Sequence, residues 1–160
     1  MKNKMAEKLF ELAYTDSMTE VQNRNAYEER LKKLRKPNAN ISRITVVVVD
    51  VNGLKEINDS YGHFCGDDAI KTVAKALRDT IGLKADIYRI GGDEFVCISE
   101  SNVLPYISQF KDTIYFINNE KLYNLSVSIG YSRFHEKYSK VIDDIICRAD
   151  EKMYKDKKSK

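Results

Sequence analysis

Apolar and polar positions along this chain repeat in two periods, and the switches between them mark out its elements. Met5, Leu9, Leu12 and Ala13 recur at helical spacing and predict a short helix over 5–13. Ala26, Tyr27, Leu31 and Leu34 predict a second over 23–36, stopped by Pro37 and Asn38. The run "ITVVVVDV", Ile44 to Val51, is β-branched and apolar at nearly every position, as a central strand covered on both faces requires. Ile70, Val73, Ala74, Leu77 and Ile81 line one helical stripe, which predicts a helix over 68–80 with Asp67 at its N-cap and Gly82 past its end.

The segments 86–90 and 94–99 read as the two strands of a hairpin, with the glycines at its turn. Val103, Ile107, Phe110, Ile114 and Ile117 then return to helical spacing. Leu125, Val127, Ile129 and Tyr131 alternate strictly, as a strand does. Val141, Ile142, Ile145, Ile146, Ala149 and Met153 predict a closing helix. Helices alternate with strands while the hairpin forces antiparallel pairing. The expected fold class is therefore α/β (α+β): a mixed sheet with helices packed on its faces.

Composition narrows the function. The chain has 160 residues, enough for one domain with a real core. Its net charge of +3 is small and its basic residues are scattered, so no nucleic-acid groove is expected. The lysines at both ends read as solvated tails. Cys65, Cys97 and Cys147 lie far apart without a CxxC pair, which argues against a zinc site and against a disulfide framework. Reduced thiols in the cytoplasm are the simple expectation. The longest apolar run is far too short to cross a bilayer, and the first residues lack a signal-peptide core, so no membrane segment is expected in this chain.

Chemistry gathers around "YRIGGDEFVCIS", Tyr88 to Ser99. Asp93 and Glu94 sit side by side at the hairpin tip, where like charges repel. Asp50 ends a strand otherwise fit only for burial. If the hairpin pairs beside that strand, the three acids share a corner, and a cation between them relieves the repulsion. Oxygen ligands suit Mg²⁺, which keeps waters and shares phosphate oxygens. A nucleoside triphosphate is then the expected guest. Gly91 and Gly92 let it approach the backbone, and Lys55 lies within reach of a phosphate. Asn58 and Asp67 flank a glycine-broken turn. Together they match the edge of guanine, the carboxylate accepting from N1–H and the N2 amine; Asp67 has the helix-capping role as its alternative.

These motifs resemble, in order, those of the GGDEF domain of diguanylate cyclases. "TDSMTEVQNR" is similar to D-x-L-T-G-L-x-N-R in Asp16, Thr19, Asn23 and Arg24. "DVNGLKEINDSYGHFCGD" is similar to D-x-D-x-F-K-x-x-N-D-x-x-G-H-x-x-G-D, and "RIGGDEF" is the signature itself. "VSIGYS" and "RADEKMYKDK" resemble the last strand and helix. The likeness spans nearly the whole chain, with 1–15 left as an N-terminal linker helix and 16–160 as the domain.

The resemblance implies a polymerase-palm or adenylyl-cyclase-like fold with a central, mostly antiparallel five-stranded sheet. It implies condensation of two GTP into cyclic di-GMP with release of two pyrophosphates. Carried over, Asp50, Asp93 and the carbonyl of Val51 hold Mg²⁺ (or Mn²⁺). Asp93 accepts the proton of the attacking 3′-hydroxyl, Glu94 joins the acidic corner, and Lys55 and Lys157 hold phosphates. Asn58 and Asp67 read guanine, with His63 near sugar or base. A transient homodimer completes the site, and a sensor or regulatory domain is expected in the parent protein.

Some positions depart from the family pattern. Asn52 and Leu54 stand where it has aspartate and phenylalanine, and Glu20 replaces a glycine. The inhibitory motif R-x-x-D falls on Gly82 to Ala85, so no inhibitory site is expected there. A non-catalytic GTP-binding regulatory module, a mixed cyclic dinucleotide synthase and a purely structural dimerisation domain are the competing readings.

Overall fold

A computed structural model describes residues 2–160. Eleven elements follow the chain: α1 (Lys2–Tyr14), α2 (Arg24–Leu34), β1 (Thr45–Val51), α3 (Leu54–Tyr61), α4 (His63–Asp79), a short 3₁₀ turn (Ile81–Leu83), β2 (Asp86–Arg89), β3 (Glu94–Ser99), α5 (Leu104–Asn118), β4 (Val127–Arg133) and α6 (Ile142–Lys158).

The strands form one sheet in the order β2-β3-β1-β4, with all three strand pairs antiparallel. Four strands stand where five were expected. Beyond β2 the sheet shrinks to a single residue. Gln22 donates its N–H to Ile87 and accepts from the Arg89 N–H, at 3.0 and 2.8 Å, as a one-residue parallel bridge. The tight turn before it accounts for this. Asp16 accepts from the Thr19 N–H and hydroxyl, so the chain is folding back just where a strand would have to extend.

β1 is buried along its whole length, as its β-branched run requires. Its side chains alternate between two cores. Val47, Val49 and Val51 face α4 and α5 with Val73, Leu77, Phe95 and Phe110. Val46 and Val48 face α2 and α6 with Leu31, Tyr88, Ile145 and Met153. Asp50 shares the second parity and is aligned with Glu94 on one side and Ser128 on the other. The sheet is therefore the middle of three layers, and the acidic end of β1 opens toward α6.

Two expectations about "NGLKEINDSYGHFCGD" are corrected. Leu54–Tyr61 is a helix of its own, hidden in the sequence because it buries only Ile57. α4 begins at His63 rather than at 68, so the glycine-broken turn is confined to Gly62, at φ 86°. Asp67 lies in the second turn of α4 and caps nothing. No helix of the described residues is long and apolar enough to cross a membrane.

Candidate active site

The acidic corner forms at the carboxyl end of β1. Asp50 is 5% exposed there. The hairpin tip is stitched to it by the Val51 N–H, which donates to the Asp93 carbonyl at 2.9 Å. Burial raises the Asp50 carboxyl, a hydrogen bond from Lys157 opposes that, Asp93's charge adds to the rise, and the balance lies above the ordinary value. The Glu94 carboxyl is also raised, by burial first and then by Asp93 and Asp50. The three acids are thus close enough to repel.

Lys157 meets this charge. Its Nζ reaches in from the last turn of α6 and donates to Asp50 Oδ1 at 2.8 Å. Its own pKa is raised by that bond and by the acids around it. Among the described residues, no three His, Cys, Asp or Glu side chains are gathered around one point as metal ligands. An ammonium is the counter-ion in this arrangement.

The tip itself is braced from behind. The Arg89 guanidinium donates to the Gly92 carbonyl at 2.8 Å and forms an ion pair with Asp16 at 3.1 Å. Burial would raise the Asp16 carboxyl, but hydrogen bonds from Thr19 and Arg89 outweigh it and hold the group low. Asn23 caps α2 by accepting from the Ala26 N–H and ties α1 by donating to the Ala13 carbonyl. The first motif of the chain is therefore the foundation of the hairpin tip. Gly91 and Gly92 were expected to serve the turn, yet neither has a positive φ. A Cβ on Gly92 would meet nothing within 4 Å. Nothing inside the protein demands glycine there, which leaves close approach from outside as its physical use.

Asn58 packs against α4 across the break at Gly62. A Cβ on Gly66 would lie 1.9 Å from Asn58 Oδ1, so the glycine is what lets the carboxamide pack on α4. Asp68, the next residue, accepts from Lys121 Nζ at 2.6 Å and from the Tyr123 hydroxyl at 2.5 Å, which fixes this end of α4 to the loop before β4. Asp67, His63 and Lys55 are exposed.

Asn52 is engaged by two serines of the β4 side. Its Nδ2 donates to Ser126 Oγ at 3.1 Å and its Oδ1 accepts from Ser128 Oγ at 2.7 Å. The amide thus braces β1 against β4. Where the inhibitory motif would lie, Gly82 and Ala85 line a shallow cavity with Arg78, whose guanidinium is already engaged by the Thr19 carbonyl and the Glu20 carboxylate.

Two residues of this region escape a reading of the sequence. Arg89 looks like an ordinary strand residue, although a cation two positions before the glycines was the signal available. Asp150, on the face of α6 that carries Lys157, lies near enough to raise both Asp50 and Glu94. Its signal was the spacing of seven residues from Lys157, two helical turns.

The sequence matches the family described as diguanylate cyclase, GGDEF domain, over residues 13–160. It is 32% identical to the probable diguanylate cyclase DgcI of Escherichia coli K12 over 153 residues, covering 94% of this chain and 33% of that protein. It is 32% identical to a diguanylate cyclase of Vibrio cholerae, covering 97% of this chain and 50% of that one. The chain therefore spans half or less of these relatives. Among solved structures, the coiled coil and GGDEF domain of DgcB from Caulobacter crescentus, in complex with c-di-GMP, superposes with a TM-score of 0.81 at 22% identity, covering 98% of this chain and 87% of that one. SiaD of Pseudomonas aeruginosa, in complex with its activator SiaC, gives 0.80 at 21%, covering 99% and 64%. These two likenesses speak for the fold.

Proposed function

The chain belongs to the diguanylate cyclase GGDEF family, and from that premise we propose that it condenses two GTP into cyclic di-GMP, releasing two pyrophosphates. One observation carries the reading: the register of β1 with β3 sets Asp50 opposite Glu94, and the Val51 N–H ties Asp93 to the same end of β1 at 2.9 Å. Such a corner costs stability and has no use in the fold alone; it suits a cationic guest. The donors are all oxygens, which fits a hard divalent cation. Asp50, Asp93 and the carbonyl of Val51 would hold Mg²⁺ or Mn²⁺, which when bound neutralises triphosphate charge and favours ionisation of the attacking hydroxyl.

The chain's own residues do the rest. Lys55 and Lys157 offset phosphate charge. Gly91 and Gly92 keep the tip bare, so that phosphates approach the backbone. Asn58 and Asp67 read guanine: the carboxylate accepts from N1–H and the N2 amine, donors that adenine does not present. His63 borders sugar or base. Asp93 takes the proton of the 3′-hydroxyl, and Glu94 supports it in the same corner. One chain offers one such site, whereas the product joins two nucleotides. The working form is therefore a transient homodimer, regulated by a further domain of the parent protein and operating in the cytoplasm, where GTP is found.

A regulatory module that only binds GTP would use Asp93 for the metal but would not turn GTP over. A mixed dinucleotide synthase would not need Asp67. Both are tested by incubating the protein with Mg²⁺ and GTP, with and without ATP, and identifying products by mass spectrometry. Cyclic di-GMP from GTP alone is expected, with none from Asp93→Ala. Bound but unconverted GTP, or an adenine-containing product, would overturn the reading.

A further inference from the structure

We propose that Lys157 is an internal counter-ion that guards Asp50 against a free cation, so that metal and triphosphate enter the site together. This rests on the metal–nucleotide reading above. In the ligand-free fold the Lys157 ammonium is 2.8 Å from Asp50 Oδ1. The two partners are unequal: the Asp50 side chain is 7% exposed and Lys157's is 45% exposed. The acid is fixed in the sheet, while the lysine is an arm from the last turn of a surface helix and can swing at small cost.

A divalent ion arriving alone meets an acid already neutralised and an ammonium that repels it. It must displace the lysine, and the displaced charge then has only water to receive it. Triphosphate changes the balance. It offers the released ammonium a new anionic partner while the metal takes over Asp50. Exchange of the lysine from carboxylate to phosphate makes each ligand improve the other's affinity, and such coupling is reciprocal.

The test is Mn²⁺ binding, followed by calorimetry and by the paramagnetic signal of free Mn²⁺, with and without GTP under non-turnover conditions. Lys157→Met is compared with wild type and with Lys157→Arg, each checked for native circular dichroism and melting. Lys157 is exposed, so these variants are expected to fold. Lys157→Met should bind Mn²⁺ alone at least fivefold more tightly than wild type, yet bind GTP with Mn²⁺ more weakly, so that coupling shrinks. Lys157→Arg should stay close to wild type for Mn²⁺ alone. Unchanged or weaker Mn²⁺ binding by Lys157→Met, while wild type still binds Mn²⁺ with GTP, would overturn the counter-ion role alone. Failure of wild type to bind Mn²⁺ with GTP would overturn the underlying reading as well.

Discussion

Gly130 carries the contact that seats α6 on the sheet, and Gly130→Ala tests it. A Cβ built there lies 2.0 Å from the Ala149 carbonyl oxygen and 2.2 Å from the Met153 nitrogen, where ordinary contact begins at 3.4 Å. Both opposing atoms are backbone, so no side-chain rotation relieves the clash. α6 must retreat by more than an ångström. A gap of about 0.5–1 Å already forfeits roughly a quarter to a half of each dispersion contact, and α6 buries Ile142, Ile145, Ala149 and Met153. Overpacking ordinarily costs about 1–3 kcal/mol; an unyielding backbone clash puts this site at about 3 kcal/mol or more, a large share of a typical domain's stability. The same retreat draws Lys157 away from Asp50, so nucleotide affinity should fall in whatever fraction remains folded. Urea denaturation measures the first effect and GTP titration the second. Gly92→Ala is the contrasting case: its Cβ meets nothing within 4 Å, so stability should hold within about 0.5 kcal/mol while nucleotide binding weakens. A Gly130→Ala protein within about 1 kcal/mol of wild type would refute the packing argument.

Three further outcomes are expected. Asp67→Ala should weaken GTP binding by about 1–3 kcal/mol with melting unchanged or slightly raised, because Asp67 is an exposed helix-interior residue; an unchanged affinity in titration would remove it from the guanine site. Glu94→Gln should gain stability over wild type as pH rises: the folded Glu94 carboxyl is raised above its ordinary 4.5, so wild type loses stability between that value and the folded one as the carboxyl ionises. Denaturation curves at several pH values check this, and a difference that does not grow above pH 4.5 contradicts it. Glu20→Gly should stabilise by about 0.5–1 kcal/mol, since Glu20 holds φ 62° at a cost of roughly 1–2 kcal/mol and loses only a surface ion pair to Arg78; a lowered melting temperature would contradict that.

Most of the architecture was legible because burial and periodicity coincide. β1 shows as β-branched residues, α4 and α6 as stripes, and the hairpin as paired strands around the glycines. α3 was missed because a helix burying only Ile57 leaves no stripe. The start of α4 was misread because Gly62 and Gly66 look alike in sequence. Only the fold reveals that one breaks a helix and the other makes room for Asn58. The acids were legible as acids, and the register of β1 with β3 puts Asp50 opposite Glu94. The Lys157–Asp50 pair was not, because it joins residues 107 apart and depends on the angle at which α6 crosses β1. The fifth strand of the family pattern could not be judged from sequence, since one hydrogen-bonded residue and a short strand are written in the same letters.

Under the proposed function, this chain holds one half of a reaction centre that joins two GTP molecules. The most direct measurement is the initial rate of cyclic di-GMP formation per protomer, with saturating GTP and Mg²⁺, across a hundredfold range of protein concentration. Cyclic di-GMP is expected at a per-protomer rate that is low when dilute and rises steeply with concentration. No cyclic di-GMP at any concentration, or a per-protomer rate that stays constant across the range, would contradict it.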